Sequence, residues 1–252
     1  MDMDKIKVGA VSYLNTKPLI YGFEQGMMNE EMELVFDFPA NIAKKLLTDE
    51  IDIGLVPVAV LPLMREYHII ADYGIGCNGA VASVCLFSDV PVEEIKTVLL
   101  DYQSRTSVAL LKILLKEYWN ISPELIAAEK GFEQSIGGTT SGLVIGDRAF
   151  KQIKVSKYRY DLGLAWKDMT GLPFIFAAWV ANKKLPADFI ATFNKATAAG
   201  LAHIDEIVAQ NKFEEYSLLE YYTKNIIYLI DEPKLQGLQL FLQKLPKPAV
   251  TV

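Results

Sequence analysis

Short apolar runs alternate with amphipathic segments along most of this chain. Residues 6–10 and 51–56 are apolar runs of strand length, and residues 20–24 between them have the apolar spacing of a helix. Residues 106–119 place leucines and isoleucines on one wide face of a longer helix. Strands that alternate with helices are typical of α/β proteins with largely parallel sheets, and we predict that fold class here.

The same pattern predicts the remaining elements. Strands are predicted at residues 32–38, 69–75, 80–87, 97–101, 125–128, 142–145 and 173–181. Short helices are predicted at residues 41–48, 58–67, 147–152 and 162–170. The C-terminal part is predicted to be helical, in segments that cover residues 186–210, 218–228 and 232–245.

Two α/β blocks follow each other without a flexible linker. We therefore expect two lobes that share strands at their junction, with lobe I formed by residues 1–88 and 182–252 and lobe II by residues 89–181. Ligands of open α/β sheets bind beyond the carboxyl ends of the strands. The expected architecture therefore has a ligand cleft between the two lobes.

Composition limits the partners that this fold can take. The 252 residues carry a net charge of −6 at pH 7, and no block of basic residues is present. Nucleic acid is therefore not an expected partner, and an anionic ligand has to be held by local donors. The chain lacks the pattern of a secretory signal, and its apolar runs are too short for a membrane span, so we expect a cytoplasmic protein.

The sequence offers little material for metal or cofactor chemistry. Cys77 and Cys85 have neither zinc-site nor redox spacing, and His68 and His203 lie far apart. We expect both cysteines to be buried apolar residues. We predict no metal site and no cofactor.

A dense polar run lies where the first predicted strand meets the first predicted helix. Ser12, Tyr13, Asn15, Thr16 and Lys17 all carry side chains that form hydrogen bonds. The first N–H groups of a helix are unpaired and lie at its positive dipole end, so this junction suits an anion. The alternative is an ordinary helix cap by Asn15 or Thr16, which would be favoured for a single junction of this kind.

A second junction of the same kind precedes the helix at residues 106–119. Ser104, Arg105, Thr106 and Ser107 combine hydroxyl groups with a guanidinium whose planar fork matches a carboxylate. A plain cap by Ser104 or Thr106, with a solvated arginine, explains this motif equally well when it is taken alone. Two polar junctions on one expected cleft favour a ligand site.

Other motifs receive structural interpretations. Residues 74–79 match G-x-G-x-x-G, but a strand rather than a helix is predicted after them, so no nucleotide site is expected. Asn78 and Ser83 can point into the cleft, although loop and strand roles are favoured from the sequence alone. Asp147 is expected to cap a helix rather than to contact a ligand, and Trp166 and Trp179 are expected in the core.

By themselves, these residues describe a two-lobed binding protein with two anion cradles. Several motifs in combination, however, resemble the chorismate dehydratase family of the futalosine route to menaquinone. They are VSYLNTKPL (residues 11–19), DIGLVPVA (52–59), NGAVASV (78–84), SRTS (104–107), IGD (145–147) and WKDMTGLPF (166–174). The resemblance covers residues 5–182, and its motifs are specific only as a set.

The resemblance implies a fold like that of the two-lobed periplasmic binding proteins of type 2, in a cytoplasmic enzyme. The implied reaction removes water from chorismate, a small dianion, to give 3-[(1-carboxyvinyl)oxy]benzoate. Carried over to this chain, the family places Asn15 and Ser83 at the reacting centre. The candidate substrate-binding residues are Ser12, Tyr13, Thr16, Asn78, Ser104, Arg105, Thr106, Ser107 and Asp147.

Neither an asparagine amide nor a serine hydroxyl is a good base. We therefore hypothesise that the substrate's own enolpyruvyl carboxylate takes the ring proton, because it is held close to it. Two alternatives stay open. One is a noncatalytic solute-binding or effector-sensing protein, and the other is the related pathway enzyme that acts on cyclic dehypoxanthine futalosine, whose opening motif differs from the SYLNT run here.

Overall fold

Two β-sheets form the framework of the structure, a computed structural model that describes residues 5–246. In chain order the strands are β1 Ile6–Ala10, β2 Met32–Phe36, β3 Ile53–Pro57, β4 His68–Cys77, β5 Val84–Ser88, β6 Thr97–Leu100, β7 Glu124–Ala127, β8 Thr140–Ile145, β9 Tyr158–Asp161, β10 Phe174–Ala181 and β11 Ile227–Leu229. The helices are α1 Lys17–Glu24, α2 Pro39–Leu47, α3 Arg105–Glu117, α4 Asp147–Ile153, α5 Leu162–Thr170, α6 Ala187–Leu201, α7 Ile204–Gln210, α8 Leu218–Glu220 and α9 Glu232–Lys244. Short 3-10 segments lie at Leu14–Thr16, Val58–Leu63, Val92–Glu94 and Phe132–Ser135, and a π-helical turn spans Tyr221–Asn225.

Both sheets are mixed. The first has the strand order β11-β4-β10-β3-β1-β2, and the second has the order β7-β6-β8-β5-β9. The pairs β1–β2, β1–β3, β6–β7 and β6–β8 are parallel, and the other described pairs are antiparallel. The α/β class is therefore confirmed, whereas the prediction of largely parallel sheets is wrong. The reason is that β5 and β10, the first strands after the chain changes sheet, run against both of their neighbours.

The chain changes sheet at different points from those predicted. β4 ends at Cys77 in the first sheet, and β5 already belongs to the second; β10 belongs to the first again. The crossings therefore lie at residues 78–83 and 171–173, and not near residues 88 and 182. Almost every residue of β5 and β10 is buried, so the sequence of these strands has no alternating pattern that shows which sheet each one joins. With this correction, the division into two lobes stays a proposal.

The C-terminal part departs most from the predicted elements. Residues 186–210 form two helices, α6 and α7, and not one. Residues 218–228 contain only a three-residue helix, a π-helical turn and β11, which pairs with β4. β9 and β11 are both absent from the predicted elements. They are short, and their formation depends on pairing with distant strands. None of the helices within residues 5–246 has the length and apolar composition that a membrane crossing requires.

The two tryptophans and the two cysteines for which burial is predicted do lie in the core. Trp166 and Trp179 are fully buried, and the Trp166 indole N–H donates to the Pro173 carbonyl oxygen at 3.2 Å. Cys77 and Cys85 are both buried and unpaired. Burial raises the pKa of both thiols, so they behave as small apolar side chains rather than as nucleophiles.

Helices α1 and α6 meet backbone to backbone. A Cβ atom at Gly22 would lie 2.2 Å from the Ala196 carbonyl oxygen, and one at Gly200 would lie 2.0 Å from the Pro18 carbonyl oxygen. Only glycine allows so close an approach. Because α1 begins directly after the polar run at residues 12–16, this contact also fixes the position of that run.

Candidate active site

The two polar strand–helix junctions face each other between the sheets. The Tyr13 hydroxyl, in the loop after β1, donates a 2.8 Å hydrogen bond to Oε1 of Gln103, in the loop after β6. The same Gln103 oxygen accepts a 2.8 Å hydrogen bond from Arg148 in α4. Burial raises the pKa of the Tyr13 phenol, so its hydroxyl stays protonated and remains a donor. Two segments that lie 90 residues apart in the chain thus form one structural site.

A cavity lies between these junctions, and the space around it that protein atoms leave unfilled, including the part open to solvent, is about 590 Å³. Its polar side chains are Tyr13, Asn15, Ser83, Gln103, Ser104 and Ser107. The rest of the lining is apolar or glycine: Val11, Pro39, Leu55, Pro57, Ile75, Val81, Val84, Ile145, Gly146, Phe176 and Ala177. Among residues 5–246, no side chain that is charged at neutral pH lines it. A mostly apolar cavity with a few placed polar groups is typical of a site for a small organic ligand.

Ser83 reaches the cavity on a strained loop. Ala82, the residue before it, has a φ of 63°, in the left-handed region that residues other than glycine rarely adopt. The Asp161 carboxylate holds this conformation by accepting from the backbone N–H groups of Ala82 at 2.7 Å and of Val81 at 3.1 Å. Burial raises the pKa of Asp161, and these N–H groups oppose that rise. The residue that delivers Ser83 to the cavity wall is therefore strained.

Asn15 reaches the cavity from the 3-10 segment Leu14–Thr16. Thr16 occupies the N-cap position of α1, as the capping interpretation predicts, but neither its side chain nor that of Asn15 forms a capping hydrogen bond. The Tyr228 hydroxyl, in β11, donates to the Asn15 carbonyl oxygen at 3.1 Å and holds the turn in place. The Asn15 amide is thereby kept at the cavity wall rather than at a helix end.

Ser104 caps α3, as one interpretation of the second junction predicted. Its Oγ accepts from the Ser107 backbone N–H at 3.1 Å, and its hydroxyl donates to the Ser107 hydroxyl at 2.8 Å. Residues three apart lie on the same side of a helix, so both serines face the cavity. The start of a 13-residue helix with two hydroxyl groups suits an anionic group of a ligand.

Arg105 and Thr106, between these serines, do not reach the cavity. Successive helix residues are rotated by about 100°, so the two intervening side chains face other directions. Arg105 is exposed and lines a separate surface groove. Thr106 is buried, and its hydroxyl oxygen accepts a 3.1 Å hydrogen bond from the Ala59 backbone N–H. Arg105 therefore contributes no guanidinium fork to the lining of this cavity, and Thr106 has a structural contact instead.

Three further candidates also lie away from the cavity lining. Side chains alternate along an extended segment, so Val11 and Tyr13 face the cavity and Ser12 is exposed. Asn78 is exposed in the bend after β4. Thr16 is fully buried, and its hydroxyl lies 3.4 Å from Asn15 Oδ1. The structure therefore places Ser12, Asn78 and Thr16 outside the cavity lining.

Asp147 lies beside the cavity and does not cap α4, because the cap position belongs to Gly146 and Asp147 is the first helical residue. Its Oδ1 atom is buried and has no hydrogen-bond partner within residues 5–246. Burial raises the pKa of Asp147 to about 6. The ionisation of this carboxyl group is therefore sensitive to pH near neutrality.

Two residues at the site were not among the sequence candidates. Gln103 directly precedes Ser104 of the second polar junction, so its polarity and position were the available signal. Tyr221 is fully buried, and its hydroxyl donates to Ser83 Oγ at 2.7 Å. No local pattern indicates this role, because residues 218–228 resemble an ordinary helix and the contact spans 138 residues.

Two mixed α/β sheets, two chain crossings between them and a cavity at their junction define the fold class of this protein. The structure is similar to that of a conserved Candida albicans gene product, which is described as having the generic periplasmic binding protein fold. The similarity covers 95% of this chain and 90% of that protein, with a TM-score of 0.61 and 12% sequence identity. The predicted periplasmic-binding-protein-like fold is thereby confirmed.

Within this class, the chain belongs to the family described as menaquinone biosynthesis, which matches residues 6–247. It is 28% identical over 268 aligned residues to the chorismate dehydratase of Thermus thermophilus, covering 96% of this chain and 95% of that protein. It is 26% identical over 227 residues to the chorismate dehydratase of Campylobacter jejuni, covering 87% of this chain and 88% of that protein. The family resemblance inferred from the motifs is therefore confirmed.

Proposed function

We propose that this protein converts chorismate to 3-[(1-carboxyvinyl)oxy]benzoate and water, as a cytoplasmic carbon–oxygen lyase in menaquinone biosynthesis. The family match and the two relatives named chorismate dehydratase support this reaction. The structural observation that carries the proposal is that Asn15 and Ser83 line the same cavity, in which the polar side chains are neutral. Such a cavity offers hydrogen bonds to a small dianion without supplying a strong base of its own.

The start of α3 suits one carboxylate of this substrate. Ser104 and Ser107 present hydroxyl groups there, and the helix adds its positive dipole end. At the opposite wall, Tyr13 and Asn15 approach from the loop after β1. We infer that the ring carboxylate lies at α3 and that the enolpyruvyl group lies near Asn15.

The substrate supplies the base in the proposed reaction. The carbon that bears the enolpyruvyl ether loses its proton to the enolpyruvyl carboxylate. The negative charge left on this carbon is delocalised through the neighbouring ring double bond onto the ring carboxylate. The C–O bond to the adjacent hydroxyl then breaks, and the departing oxygen takes the stored proton to form water. One C–H and one C–O bond are lost, one O–H bond is formed, and the ring becomes aromatic.

Asn15 and Ser83 act as hydrogen-bonding groups in this reaction. The Asn15 amide orients the enolpyruvyl carboxylate, and the Ser83 hydroxyl donates to the oxygen that leaves. The apolar lining around them, from Val81, Val84 and Phe176, keeps water away from the carboxylate. A poorly hydrated carboxylate held near the proton is a stronger base than one in water.

Incubation of the purified protein with chorismate tests the proposed function. We expect an aromatic product with the mass of chorismate minus water, detected by ultraviolet absorbance and mass spectrometry. Asn15→Ala and Ser83→Ala should each lower kcat by roughly 100-fold, the order expected when a placed hydrogen-bonding group is removed. Ser12→Ala is the control, because Ser12 is exposed and lies outside the cavity, and it should keep the wild-type rate.

Two outcomes contradict the proposal in different ways. Chorismate that binds but stays unchanged would favour the noncatalytic solute-binding alternative. A chorismate analogue whose enolpyruvyl carboxylate is replaced by a carboxamide should bind without reacting. If the analogue lost water at a rate comparable with that of chorismate, the substrate carboxylate would not be the base.

A further inference from the structure

Ser83 is held by a hydroxyl group from a distant part of the chain. Tyr221 is fully buried, and its phenolic O–H donates to Ser83 Oγ at 2.7 Å. The Phe150 ring packs edge-on against the Tyr221 ring, with 5.0 Å between the ring centroids. Tyr221 begins the π-helical turn Tyr221–Asn225, a rare conformation that frequently marks functional sites. The phenol is therefore fixed both in place and in direction.

The direction of the hydrogen bonds around this phenol follows from the protons available. The Tyr221 hydroxyl carries a single proton, and it donates this proton to Ser83 Oγ. Ser83 accepts this bond, so its own proton points elsewhere, toward the cavity.

We propose that Tyr221 is a positioning residue for the dehydration, which orients the Ser83 hydroxyl as a hydrogen-bond donor to the leaving oxygen of the substrate. This inference rests on the proposed function. Hydrogen bonds that run in one direction, from Tyr221 through Ser83 to the substrate, strengthen one another. Burial raises the pKa of the Tyr221 phenol well above its usual range, so Tyr221 stays a donor and does not itself transfer a proton.

Tyr221→Phe tests this role, and Tyr222→Phe is its matched control. Tyr222 is the next residue and is also buried, but its hydroxyl has no hydrogen-bond partner in the described part of the chain. We expect Tyr221→Phe to lower kcat about tenfold and to change KM for chorismate by less than about twofold, because one neutral hydrogen bond is lost and the carboxylate contacts remain. Tyr222→Phe should change neither quantity by more than about twofold.

A double-mutant cycle separates positioning from a general structural effect. If Tyr221 acts through Ser83, then Ser83→Ala and the double variant Ser83→Ala/Tyr221→Phe should have equal kcat within about twofold. A further tenfold loss in the double variant, or a wild-type kcat for Tyr221→Phe, would overturn the inference. The wild-type rate tests the proposed function separately: a wild-type protein that leaves chorismate unchanged contradicts that function, whereas an active wild type with an unaffected Tyr221→Phe contradicts only the role of Tyr221.

Discussion

Arg148 forms an ion pair with Asp101 in which Nη2 lies 2.6 Å from Oδ2 of a carboxylate whose side chain is fully buried. The second arm of Arg148 contacts Glu133 at 2.5 Å. Asp101 also accepts a 2.8 Å hydrogen bond from the Gln103 backbone N–H. Burial raises the pKa of Asp101, and the Arg148 guanidinium is the main opposing influence. The pair therefore ties α4 to the loop that carries Gln103.

Arg148→Met should lower the free energy of unfolding by about 3 kcal/mol or more, because it leaves the Asp101 carboxylate buried without its partner. Lys183→Met is the control. It breaks the Lys183–Asp52 pair, in which the Lys183 side chain is 54% exposed, and should cost less than about 1 kcal/mol. Urea denaturation followed by circular dichroism measures both. If both variants lost the same free energy of unfolding, the buried Arg148–Asp101 pair would contribute no more to stability than the exposed Lys183–Asp52 pair.

The Tyr13–Gln103 hydrogen bond should affect substrate binding more than chemistry, because it joins the two junctions on either side of the cavity. Tyr13→Phe removes the donor and keeps the ring. We expect KM for chorismate to rise by roughly twofold to tenfold, the effect of one net hydrogen bond, with kcat within about twofold of wild type. Tyr102→Phe, at the exposed neighbour of Gln103, should leave both unchanged. A similar KM rise in both variants would argue against a specific link.

The predictable parts of this site are those set by neighbouring residues. The strand–helix junctions, the Ser104 cap and the pairing of Ser104 with Ser107 on one helix face all follow from local pattern and helix period. The orientation of the Arg105 side chain follows from the same period. The expectation that its guanidinium binds a carboxylate rests on its charge and not on its position in the helix. Residue type suggested that Arg105 binds ligand, and geometry placed it on the outer surface.

The parts that escaped prediction depend on contacts between distant segments. Tyr221 meets Ser83 across 138 residues, and β11 exists because β4 offers it an edge. The strands β5 and β10 were assigned to the wrong sheets because nearly every residue in them is buried, which leaves no alternating pattern to show their neighbours. Local pattern therefore identified most of one cavity wall, and tertiary pairing determined what holds it in place.

Asp147 should make folding stability depend on pH. Its pKa of about 6 in the folded protein lies above the ordinary value of 3.8, because the group is buried. The folded state therefore retains a proton that the unfolded state releases as pH rises from about 4 to 6. The sign follows directly: this group favours the folded state at low pH, and that advantage is lost as pH rises through about 6.

Asp147→Asn removes this dependence, since an amide does not titrate. The free energy of unfolding of the variant minus that of the wild type should increase by on the order of 2 kcal/mol between pH 4 and pH 7. Urea denaturation at intervals across that range measures it. Asp37→Asn is the control, because Lys45 and other donors lower the pKa of Asp37 to about 2, so its difference should stay constant over the same range. If the free energy of unfolding of Asp147→Asn minus that of the wild type also stayed constant, this would contradict a raised pKa for Asp147 in the folded protein.

The contact between α1 and α6 should control both stability and the site. A methyl group at Gly200 would lie 2.0 Å from the Pro18 carbonyl oxygen, and backbone atoms can yield only if a helix moves. We therefore expect Gly200→Ala to destabilise the protein by about 2 kcal/mol or more. Because Asn15 lies just before α1, movement of this helix should also lower kcat/KM for chorismate in the protein that remains folded.

Gly137→Ala provides the comparison, since its new methyl group would meet only Asp89 Oδ2, at the ordinary contact distance of 3.7 Å. It should change stability by less than about 0.5 kcal/mol and leave kcat/KM unchanged. Thermal unfolding and steady-state kinetics on the two variants measure both effects. If Gly200→Ala lost stability but kept full kcat/KM, the position of Asn15 would be set by Tyr228 and its own turn rather than by the packing of α1 on α6.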